Sequence, residues 1–395
     1  MHIIKPNSTD KSPIYMNDDG LLFREISNDI VALINQIPNF LLYESVADNK
    51  IFLRIATFHV GPSCWSSAQV LDYFESLALF LQELMKNGFT LIDGHPFNFI
   101  YEHSELKFID FGSFIKFDDN ALKASINEAE DYRPLIKFFK TSYMHDLRKY
   151  LAKAESSSER TSSNLILENG FKGLYANDCY VTLLERFNRF SNPSHLPTGI
   201  WVDYRDNQAA IDARARSDPR FSLAHRLIID SNAITAIDIG SNDGLYSITA
   251  ALNNISVLAL EIEDFNSSLL FNYAKSNKLQ ITTATSTLDD YIDHLNHVPE
   301  TFRPKINLAM LFAVFHHLAH DWGYTVEKLI QQLEFVGVEK IILEFISYED
   351  IFLCKKTKLA WYSLDNIVFL FEQCGFNAVI YPEHEIGRRL IYLEK

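Results

Sequence analysis

The chain has 395 residues, of which 47% are hydrophobic and 22% are charged, a composition typical of a globular protein with two or three domains. The net charge of -15 and the pI near 5.3 argue against a nucleic-acid partner, because a protein that binds the phosphate backbone needs a basic face. No uninterrupted apolar run reaches the roughly 18 residues of a membrane span, so we expect no membrane partner.

The cysteine pattern bears on the cellular compartment. The four cysteines are widely spaced and form no CxxC pair, which disfavours both a zinc site and a disulfide framework. The N-terminus also lacks the apolar core of a signal peptide. We therefore expect reduced, buried thiols in a cytoplasmic protein.

The first predicted elements are short strands and one long helix. The stretches "NFLLYESV" and "KIFLRIATFHV" are typical of strands and are predicted to pair across "ADN". In the helix that follows, Ser66 and Gln69 predict a capping box, and Asn87-Gly88 predicts the end. Its apolar residues recur at a 3.6-residue period, and they are Val70, Phe74, Leu77, Leu81 and Leu84.

The loop after this helix has the residue spacing of a phosphotransferase site. In "DGHPFN", Asp93 and Asn98 lie five residues apart, and Asp110 follows in "FIDFG". Phosphoryl transfer requires metal ligands and a residue near the acceptor hydroxyl. Together with His95 and Pro96, the pattern resembles the D-x-H-P-x-N loop of aminoglycoside-phosphotransferase-like kinases. The resemblance implies that Asp93 is the base and that Asn98 and Asp110 hold magnesium.

The same region lacks the residues that would hold the phosphates. Gly20 and Gly61 are isolated, so no Gly-rich loop is present, and Lys50 is only a weak candidate for the phosphate-binding lysine. Leu91 stands where the resembled family usually has His. Only about 90 residues precede the loop, which is short for a long helix and a nucleotide-binding lobe of roughly five strands and a helix.

We therefore predict an α+β, truncated kinase-like domain over residues 1–130 that is structural or presents the substrate. In that hypothesis, Asp93 and Asp110 hold the loop by accepting hydrogen bonds from backbone N–H groups. A working ATP/Mg site with Asp93, Asn98 and Asp110 is the alternative, and a chance match is the third. Residues 131–200 are predicted to be a mainly helical connector, and "FSNPSHLPTGIW" suits a domain junction.

The remainder, residues 201–395, alternates between strands and helices and predicts a seven-stranded Rossmann-like α/β sheet. Several of its strands are continuous apolar runs, as in a parallel sheet that is covered on both faces. The last two are separated by "PEHEIG", which is short enough for an antiparallel hairpin. The predicted strands are 233–239, 257–262, 279–284, 306–313, 340–345, 378–381 and 389–393.

A glycine-bearing turn joins the first of these strands to its helix. In "IDIGSNDGLYSI", Asp238 precedes Gly240 and Gly244; such glycines let a ligand approach the backbone, and a helix N-terminus offers donors to a carboxylate. The second strand ends at Glu261, where an acid can accept hydrogen bonds from ribose hydroxyls. The G-x-G-x-x-G of dinucleotide-binding domains is absent. S-adenosylmethionine is therefore the predicted cofactor.

Residues 200–395 resemble class I S-adenosylmethionine-dependent methyltransferases. More narrowly, "GIWVDYRDN", "LALEIED" and "INLAMLFAVFHHLAH" resemble the nodulation-protein-related group. The resemblance implies methyl transfer, with Gly240, Gly244 and Glu261 in the cofactor site. Further cofactor contacts are predicted at Asp238, Ser241, Asn242, Ile262 and Phe312.

The pattern leaves two cofactor contacts open. Tyr204 is predicted to fold over the cofactor as a lid, with a core aromatic as the alternative. Many such folds place an acid after the third strand, against the adenine. Here Asp289 comes late in the sequence, so the adenine contact is not assigned.

Three residues are candidates for handling the acceptor proton. His316 or His317 follows the fourth strand, at the edge where ligands of open α/β sheets bind, and imidazole titrates near neutral pH. The alternative is that both histidines only pack. Glu344 ends the fifth strand, and its alternatives are a supporting partner or a carboxylate that faces a helix. Methyl transfer from a sulfonium is an in-line displacement, for which positioning alone can suffice.

These patterns predict a methyltransferase that acts on a small-molecule or carbohydrate acceptor. One alternative is a bifunctional kinase–methyltransferase with an active ATP/Mg site in the N-terminal domain. The other is a non-catalytic scaffold that binds S-adenosylmethionine. The intact glycine turn and Glu261 favour the enzyme over the scaffold.

Overall fold

The computed structural model describes residues 2–4, 14–17, 21–118, 120, 215–351 and 353–395. The chain divides into two compact units: the first comprises 1–56 and 61–198, and the second comprises 57–60 and 199–395. The predicted connector, the predicted domain boundaries at 130 and 200, and Tyr204 all lie outside the described residues. None of the described helices is long and apolar enough to cross a lipid bilayer.

The first unit begins with an antiparallel sheet in the order β1-β2-β3-β5-β4. Helix α1 (Asn28–Gln36) lies between β3 and β4 in the chain, and the Ser27 side chain caps its N-terminus. The predicted strand pair is confirmed as β4 and β5, whose turn has Asp48 and Asn49 at φ of 49° and 58°, a left-handed region that these residue types tolerate. The strands are β1 (His2–Ile4), β2 (Ile14–Met16), β3 (Leu22–Glu25), β4 (Ser45–Ala47) and β5 (Lys50–Phe52).

This sheet corrects the expectation that the chain before Asp93 is too short for five strands and a helix. The strands have only three or four residues each, so the sheet, α1 and the following long helix all fit. The sequence of this region still contains no Gly-rich loop. The connection between β1 and β2, residues 5–13, contains no glycine.

Helix α2 (Ser67–Lys86) has the predicted beginning and end. The Ser66 side chain accepts a hydrogen bond from the Gln69 N–H, and the Gln69 side chain accepts one from the Ser66 N–H. The helix ends at Asn87, and Gly88 follows with a φ of 75°. The apolar stripe is buried at Val70, Leu77, Leu81 and Leu84.

Two strand pairs complete the described part of the first unit and carry the kinase-like loop. Strand β6 (Phe89–Leu91) pairs with β9 (Phe114–Lys116), and β7 (Phe99–Glu102) pairs with β8 (Glu105–Phe108). The residues between β6 and β7 contain Asp93 and Asn98, and those between β8 and β9 contain Asp110. Backbone hydrogen bonds from Ile92 N–H to the Ser113 carbonyl and from Ile109 N–H to the Asn98 carbonyl, both 2.9 Å, hold these two loops side by side.

The second unit has all seven predicted strands, each with ends within about two residues of the prediction. The sheet order is β12-β11-β10-β13-β14-β16-β15. Strands β10 to β14 are parallel, and β16 is antiparallel to both of its neighbours. The strands are β10 (Thr235–Ile239), β11 (Ser256–Glu261), β12 (Ile281–Thr285), β13 (Leu308–Leu311), β14 (Lys340–Ile346), β15 (Asn377–Ile380) and β16 (Arg388–Glu394).

Helices cover this α/β sheet because its strands are apolar on both faces. One hydrophobic cluster joins the helices at 221–230, 245–252 and 264–276 to the strands, and its members include Ile228, Ile248, Leu270 and Ala259. The helix at 326–335 packs on the helix at 288–296 and on the helix at 364–373. The helices are α3 (Phe221–Asp230), α4 (Leu245–Leu252), α5 (Asp264–Ser276), α6 (Leu288–Asn296), α7 (Phe315–Trp322), α8 (Val326–Phe335) and α9 (Leu364–Gln373).

The topology brings the candidate residues to one edge of the sheet. Strands β10, β11, β13 and β14 run in the same direction, so their carboxyl ends meet there. Strand β15 also runs in this direction, because both it and β14 are antiparallel to β16. The hairpin loop 381–387 therefore starts at this carboxyl edge, where open α/β sheets bind ligands.

Candidate cofactor site and kinase-like loop

The turn after β10 requires both of its glycines. Gly240 has a φ of 68°, and a Cβ there would lie 2.8 Å from Val314 Cγ2. Gly244 has a φ of 80°, and its Cβ would lie 2.3 Å from Leu270 Cδ1. Left-handed backbone and close packing thus coincide at both positions, and only glycine meets both conditions without strain.

The Glu261 carboxylate is tied to this turn. Its Oε2 accepts a hydrogen bond from the Asn242 N–H at 2.7 Å, and its Oε1 accepts one from the Glu263 N–H at 2.9 Å. Burial raises the pKa of Glu261, and the two backbone N–H groups oppose that rise. The carboxylate is therefore held in one orientation at the carboxyl edge.

Asp238 lies beneath the turn. It is 2% exposed, and it accepts a hydrogen bond from Ser247 Oγ of α4 at 2.6 Å. Burial raises the pKa of Asp238 to about 7. These contacts join β10 to the helix that follows the turn, and the predicted contact of Asp238 with the cofactor stays a prediction.

The other turn residues differ in what they offer a ligand. Ser241 is buried, and its Oγ has no hydrogen-bond partner among the described residues. The Asn242 side chain accepts a hydrogen bond from Asn266 Nδ2 at 3.0 Å. Ile262 follows Glu261 and is 50% exposed, so it presents an apolar surface at the carboxyl edge.

Phe312, at the end of β13, has an aromatic partner that the sequence analysis missed. Its ring stacks on Tyr246 of α4, with 3.7 Å between the centroids and 21° between the planes. The Tyr246 hydroxyl donates to Asp218 Oδ2 at 3.0 Å. Tyr246, two residues after Gly244, could have been found from the sequence, because the first turn of that helix faces the end of the adjacent strand.

The residues around this turn fit an S-adenosyl nucleoside. Glu261 accepts hydrogen bonds from the backbone at Asn242, Glu263 and Ile262, whereas a carboxylate has about four acceptor positions, so capacity remains for ribose hydroxyls. The backbone at Gly240 leaves no room for a Cβ against Val314, and a glycine at this position offers a ligand the closest approach to the backbone. The unpartnered Ser241 hydroxyl and the exposed Ile262 add a polar and an apolar contact.

Glu344 is enclosed by cations. It is fully buried, and its carboxylate contacts Arg220 Nη1, His384 Nε2 at 3.2 Å and Arg388 Nη1 at 3.8 Å. Burial alone would raise the pKa of Glu344, but the His384 hydrogen bond and the Arg220 charge outweigh it, so the pKa lies below its usual value. These contacts agree with a supporting role for Glu344, which was the alternative to its being a general base.

The Arg220 guanidinium links Glu344 to the aromatic pair. Its Nε and Nη2 donate to Asp218 at 2.9 and 2.8 Å, and it lies over the Tyr246 ring, 5.7 Å from the centroid. The pKa of Asp218 is lowered: burial acts against this, and the hydrogen bonds and charge of Arg220 prevail. A buried ionic cluster therefore lies beside the carboxyl edge.

His384 is a second residue that the sequence analysis missed. Its side chain is 8% exposed, and its Nδ1 has no hydrogen-bond partner among the described residues. A carboxylate can only accept, so Nε2 donates to Glu344, and Nδ1 is the accepting nitrogen of the neutral ring. The signal was a histidine in "PEHEIG", a hairpin loop that begins at the carboxyl edge.

The two predicted histidines have different surroundings. His316 is 7% exposed with an unpartnered Nδ1, and burial, together with His317, lowers its pKa to about 3. His317 is 38% exposed, and its Nδ1 lies 2.9 Å from Asp321 Oδ2. Neither environment identifies a general base, so the roles predicted for His316 and His317 stay predictions.

Asp289 does not lie at the cofactor turn. It is on α6, where it pairs with Lys328 Nζ at 2.9 Å and also contacts Gln332. The structure therefore gives no support for an adenine contact from this acid.

In the first unit, the kinase-like residues contact their own loops. Asp93 Oδ1 accepts a hydrogen bond from the His95 N–H at 2.8 Å, and Asn98 Nδ2 donates to the Asp93 carbonyl at 3.3 Å. Asp110 Oδ1 accepts one from the Gly112 N–H at 3.2 Å. The backbone hydrogen bonds expected of a structural loop are thus present at both aspartates.

The cation that faces Asp110 is Arg24, and Lys50, the weak candidate for the phosphate-binding lysine, lies elsewhere. Arg24 of β3 places Nη1 2.8 Å from Asp110 Oδ1, whereas Lys50 Nζ lies over the Phe23 ring, 5.0 Å from its centroid. Among the described residues, no three His, Cys, Asp or Glu side chains converge as a metal site would require. Arg24 was not predictable from the sequence, because it lies 86 positions from Asp110 and is an arginine rather than a lysine.

Comparison with known proteins gives only distant similarity. No protein-family model matches the sequence, and no curated protein sequence does. Among solved structures, the chain is similar to the bifunctional kinase-methyltransferase WbdD, with 17% identity and a TM-score of 0.34, over 51% of this chain and 44% of that chain. It thus spans less than half the length of WbdD.

Two further solved structures are similar at the same level. Magnesium protoporphyrin IX methyltransferase from Synechocystis PCC 6803, with bound S-adenosylhomocysteine, has 17% identity and a TM-score of 0.34, over 53% of this chain and 94% of that chain. EvdMO1 has 14% identity and a TM-score of 0.34, over 53% and 47%. Similarity this low fixes neither activity nor substrate, so function has to be argued from the residues at the site.

Proposed function

We propose that the second unit is an S-adenosylmethionine-dependent methyltransferase that acts on a small-molecule or carbohydrate acceptor. The observation that carries the proposal is the link between the Gly240 turn and the Glu261 carboxylate, made by the 2.7 Å hydrogen bond from the Asn242 N–H. It unites a turn that admits close backbone approach with an acid that can accept from vicinal hydroxyls.

Each residue at the carboxyl edge would bind a different part of the cofactor. Glu261 would accept from the ribose hydroxyls, and Ile262 and Phe312 would contact apolar faces of the nucleoside. Ser241 would supply its unpartnered hydroxyl, while Asp238 would hold the turn from beneath. S-adenosylmethionine supplies, when bound, an electrophilic methyl group on a sulfonium.

For the acceptor proton, the better-placed group is His384 rather than the predicted His316. A pKa of about 3 makes His316 a weak proton acceptor near neutral pH. The buried Glu344 carboxylate contacts His384 Nε2 at 3.2 Å and fixes the orientation of the ring, and His384 Nδ1 has no hydrogen-bond partner among the described residues. Glu344 then acts through His384, as a positioning residue.

The first unit is proposed to be structural or substrate-presenting rather than a phosphotransferase. Its backbone-bonded aspartates and the Arg24–Asp110 ion pair support this role. The isolated positions of Gly20 and Gly61 in the sequence agree with this role, because kinases cover the phosphates with a Gly-rich loop.

Calorimetry with S-adenosylhomocysteine tests the methyltransferase proposal. The wild-type protein should bind, and Gly240→Ala should weaken binding at least tenfold, since its Cβ would lie 2.8 Å from Val314 Cγ2. Gly323→Ala is a matched control: Gly323 has the same φ of 68°, but a Cβ at that position would have nothing within 4 Å. Absence of wild-type binding, or equal affinity in both variants, would refute the cofactor site.

A further inference from the structure

The charge partner of Asp110 lies within the first unit itself. Arg24 Nη1 is 2.8 Å from Asp110 Oδ1, and the Arg24 side chain is 5% exposed. The Gly112 N–H donates to the same oxygen at 3.2 Å, and the Ser113 hydroxyl donates to Oδ2. Both oxygens of the carboxylate are therefore engaged by protein donors, one of which carries a full positive charge.

Gly112 leaves the space that the guanidinium fills. A Cβ at position 112 would lie 2.4 Å from Arg24 Nη1 and 3.4 Å from Asp110 Oδ1. The closest approach is to the charged end of Arg24 itself, so any larger residue would displace the guanidinium or be displaced by it. The turn "IDFG" and the arginine of β3 are matched to each other in size as well as in charge.

This arrangement does not fit a divalent cation at Asp110, which the kinase-like resemblance implies. A magnesium ion requires oxygen ligands in a near-octahedral shell, and a guanidinium at hydrogen-bond distance repels it. To admit the ion beside the same oxygen, Arg24 would have to give up its ion pair with Asp110 and leave a position in which its side chain is 5% exposed.

The space beside the ion pair is small, and its lining includes an acidic residue. A cavity of about 250 Å³ lies there, lined by Glu25, Ile26, Ser27, Ile30, Phe111 and Gly112. It is below the roughly 300–1,000 Å³ of small-molecule pockets. Its lining, among the described residues, includes an acid and no basic side chain to meet phosphates.

We propose that Arg24 is the permanent counter-ion of Asp110, in the place of a divalent cation. The guanidinium neutralises the carboxylate and fixes the turn at Asp110 against β3. The first unit therefore keeps its loop geometry without metal or nucleotide, whether or not the second unit transfers methyl groups.

A melting experiment on the full chain tests the proposal with named probes. The melting temperature of the wild-type protein should be the same in EDTA, MgCl2, MnCl2 and Mg·ATP, because a ligand that binds only the folded state would raise it. A rise that Asp110→Asn abolishes would overturn the proposal. A rise in melting temperature that is still present in Asp110→Asn would come from binding at another site, and Arg24 would remain the partner of Asp110.

A double-mutant cycle measures the pair directly. Arg24→Gln and Asp110→Asn should each lower the melting temperature by several degrees, and the double variant should lose little more than either single variant. Arg54→Gln is the control, since its pair with Glu102 is separate and Arg54 is 46% exposed; its effect should add to that of Asp110→Asn. Additive effects of Arg24→Gln and Asp110→Asn would overturn the proposal.

Gly112→Ala provides a route to the same result if Arg24→Gln does not fold. Its methyl group should push the guanidinium from Asp110, so Asp110→Asn should cost less stability in the Gly112→Ala background than in the wild type. An equal cost in both backgrounds would also overturn the proposal.

Discussion

His384 Nε2 lies 3.2 Å from Glu344 Oε1, and this contact joins the hairpin loop after β15 to the end of β14. The same carboxylate contacts Arg220, which precedes α3, and Arg388 of β16. One fully buried acid thus ties together segments that are distant in the sequence. Such a carboxylate is stabilised by its partners, and its removal takes one buried carboxylate contact away from Arg220, His384 and Arg388.

Glu344→Gln should therefore destabilise the protein strongly. The amide retains the shape but leaves the buried Arg220 charge without one of its two carboxylates, and breaking a buried pair typically costs about 3–5 kcal/mol. Urea denaturation measures the change. Glu372→Gln, an exposed acid on α9, is the control and should shift the free energy of unfolding by no more than about 0.5 kcal/mol. Equal effects would contradict the cluster.

Glu261→Ala should weaken S-adenosylhomocysteine binding without unfolding the second unit. Hydrogen bonds to a charged group contribute about 1.5–3 kcal/mol, which corresponds to roughly a tenfold to hundredfold loss of affinity. Calorimetry gives the dissociation constant, and circular dichroism checks the fold. Asp289→Asn is the matched control, because Asp289 pairs with Lys328; a comparable loss there would instead place the acid of α6 at the cofactor.

Asp238→Asn should remove a stability change between about pH 4 and pH 7. The folded pKa of about 7 lies above the value of 3.8 expected for the unfolded chain. The folded state therefore binds the proton more tightly, and the wild type loses stability as pH rises through this window. Each pKa unit corresponds to about 1.4 kcal/mol.

The measurement for Asp238 is urea denaturation of both proteins at pH 5 and pH 8. Relative to the wild type, Asp238→Asn should be more stable at pH 8 than at pH 5, by an amount on the order of 2–4 kcal/mol. Glu344 does not interfere, since its lowered pKa moves its effect to lower pH. A stability difference that is the same at both pH values would show that Asp238 is ionised in the folded state at pH 5.

The sequence predicted the second unit well because its signals are local. Continuous apolar runs located all seven strands, and "PEHEIG" located the antiparallel hairpin. In the cofactor turn, the need for Gly240 and Gly244 was predictable from a strand, a turn and a helix in succession. What the sequence could not show is that Asn242 binds Glu261, because that contact depends on the twist of neighbouring strands.

The contacts that sequence analysis missed join distant segments. Arg24 and Asp110 are 86 positions apart, and Arg220 and Glu344 are 124 positions apart, so no spacing rule connects them. Three of the five strands of the first sheet were also missed, since strands of three or four residues are too short to show a period. Antiparallel pairing, rather than the composition of any single strand, defines that sheet.

His316 should stay neutral far below the usual range of histidine. Burial and His317 lower the pKa of His316 to about 3, from 6.5, so the unfolded chain binds the proton first. The contribution of His316 to stability is therefore present above about pH 6.5 and declines as pH falls from there towards 3. NMR of ¹⁵N-histidine-labelled protein follows this, with the His316 signals assigned by their absence in His316→Gln.

The same spectra decide between the candidate bases. If His316 is neutral down to about pH 4, it is too weak a base to take a hydroxyl proton near neutrality, and the role falls to His384. The His384 ring should then carry its proton on Nε2, because Glu344 accepts from that atom. If His316 instead titrates near its usual value of 6.5, its burial does not suppress the charge, and His316, at the start of α7 after β13, stays a candidate base as the sequence first indicated.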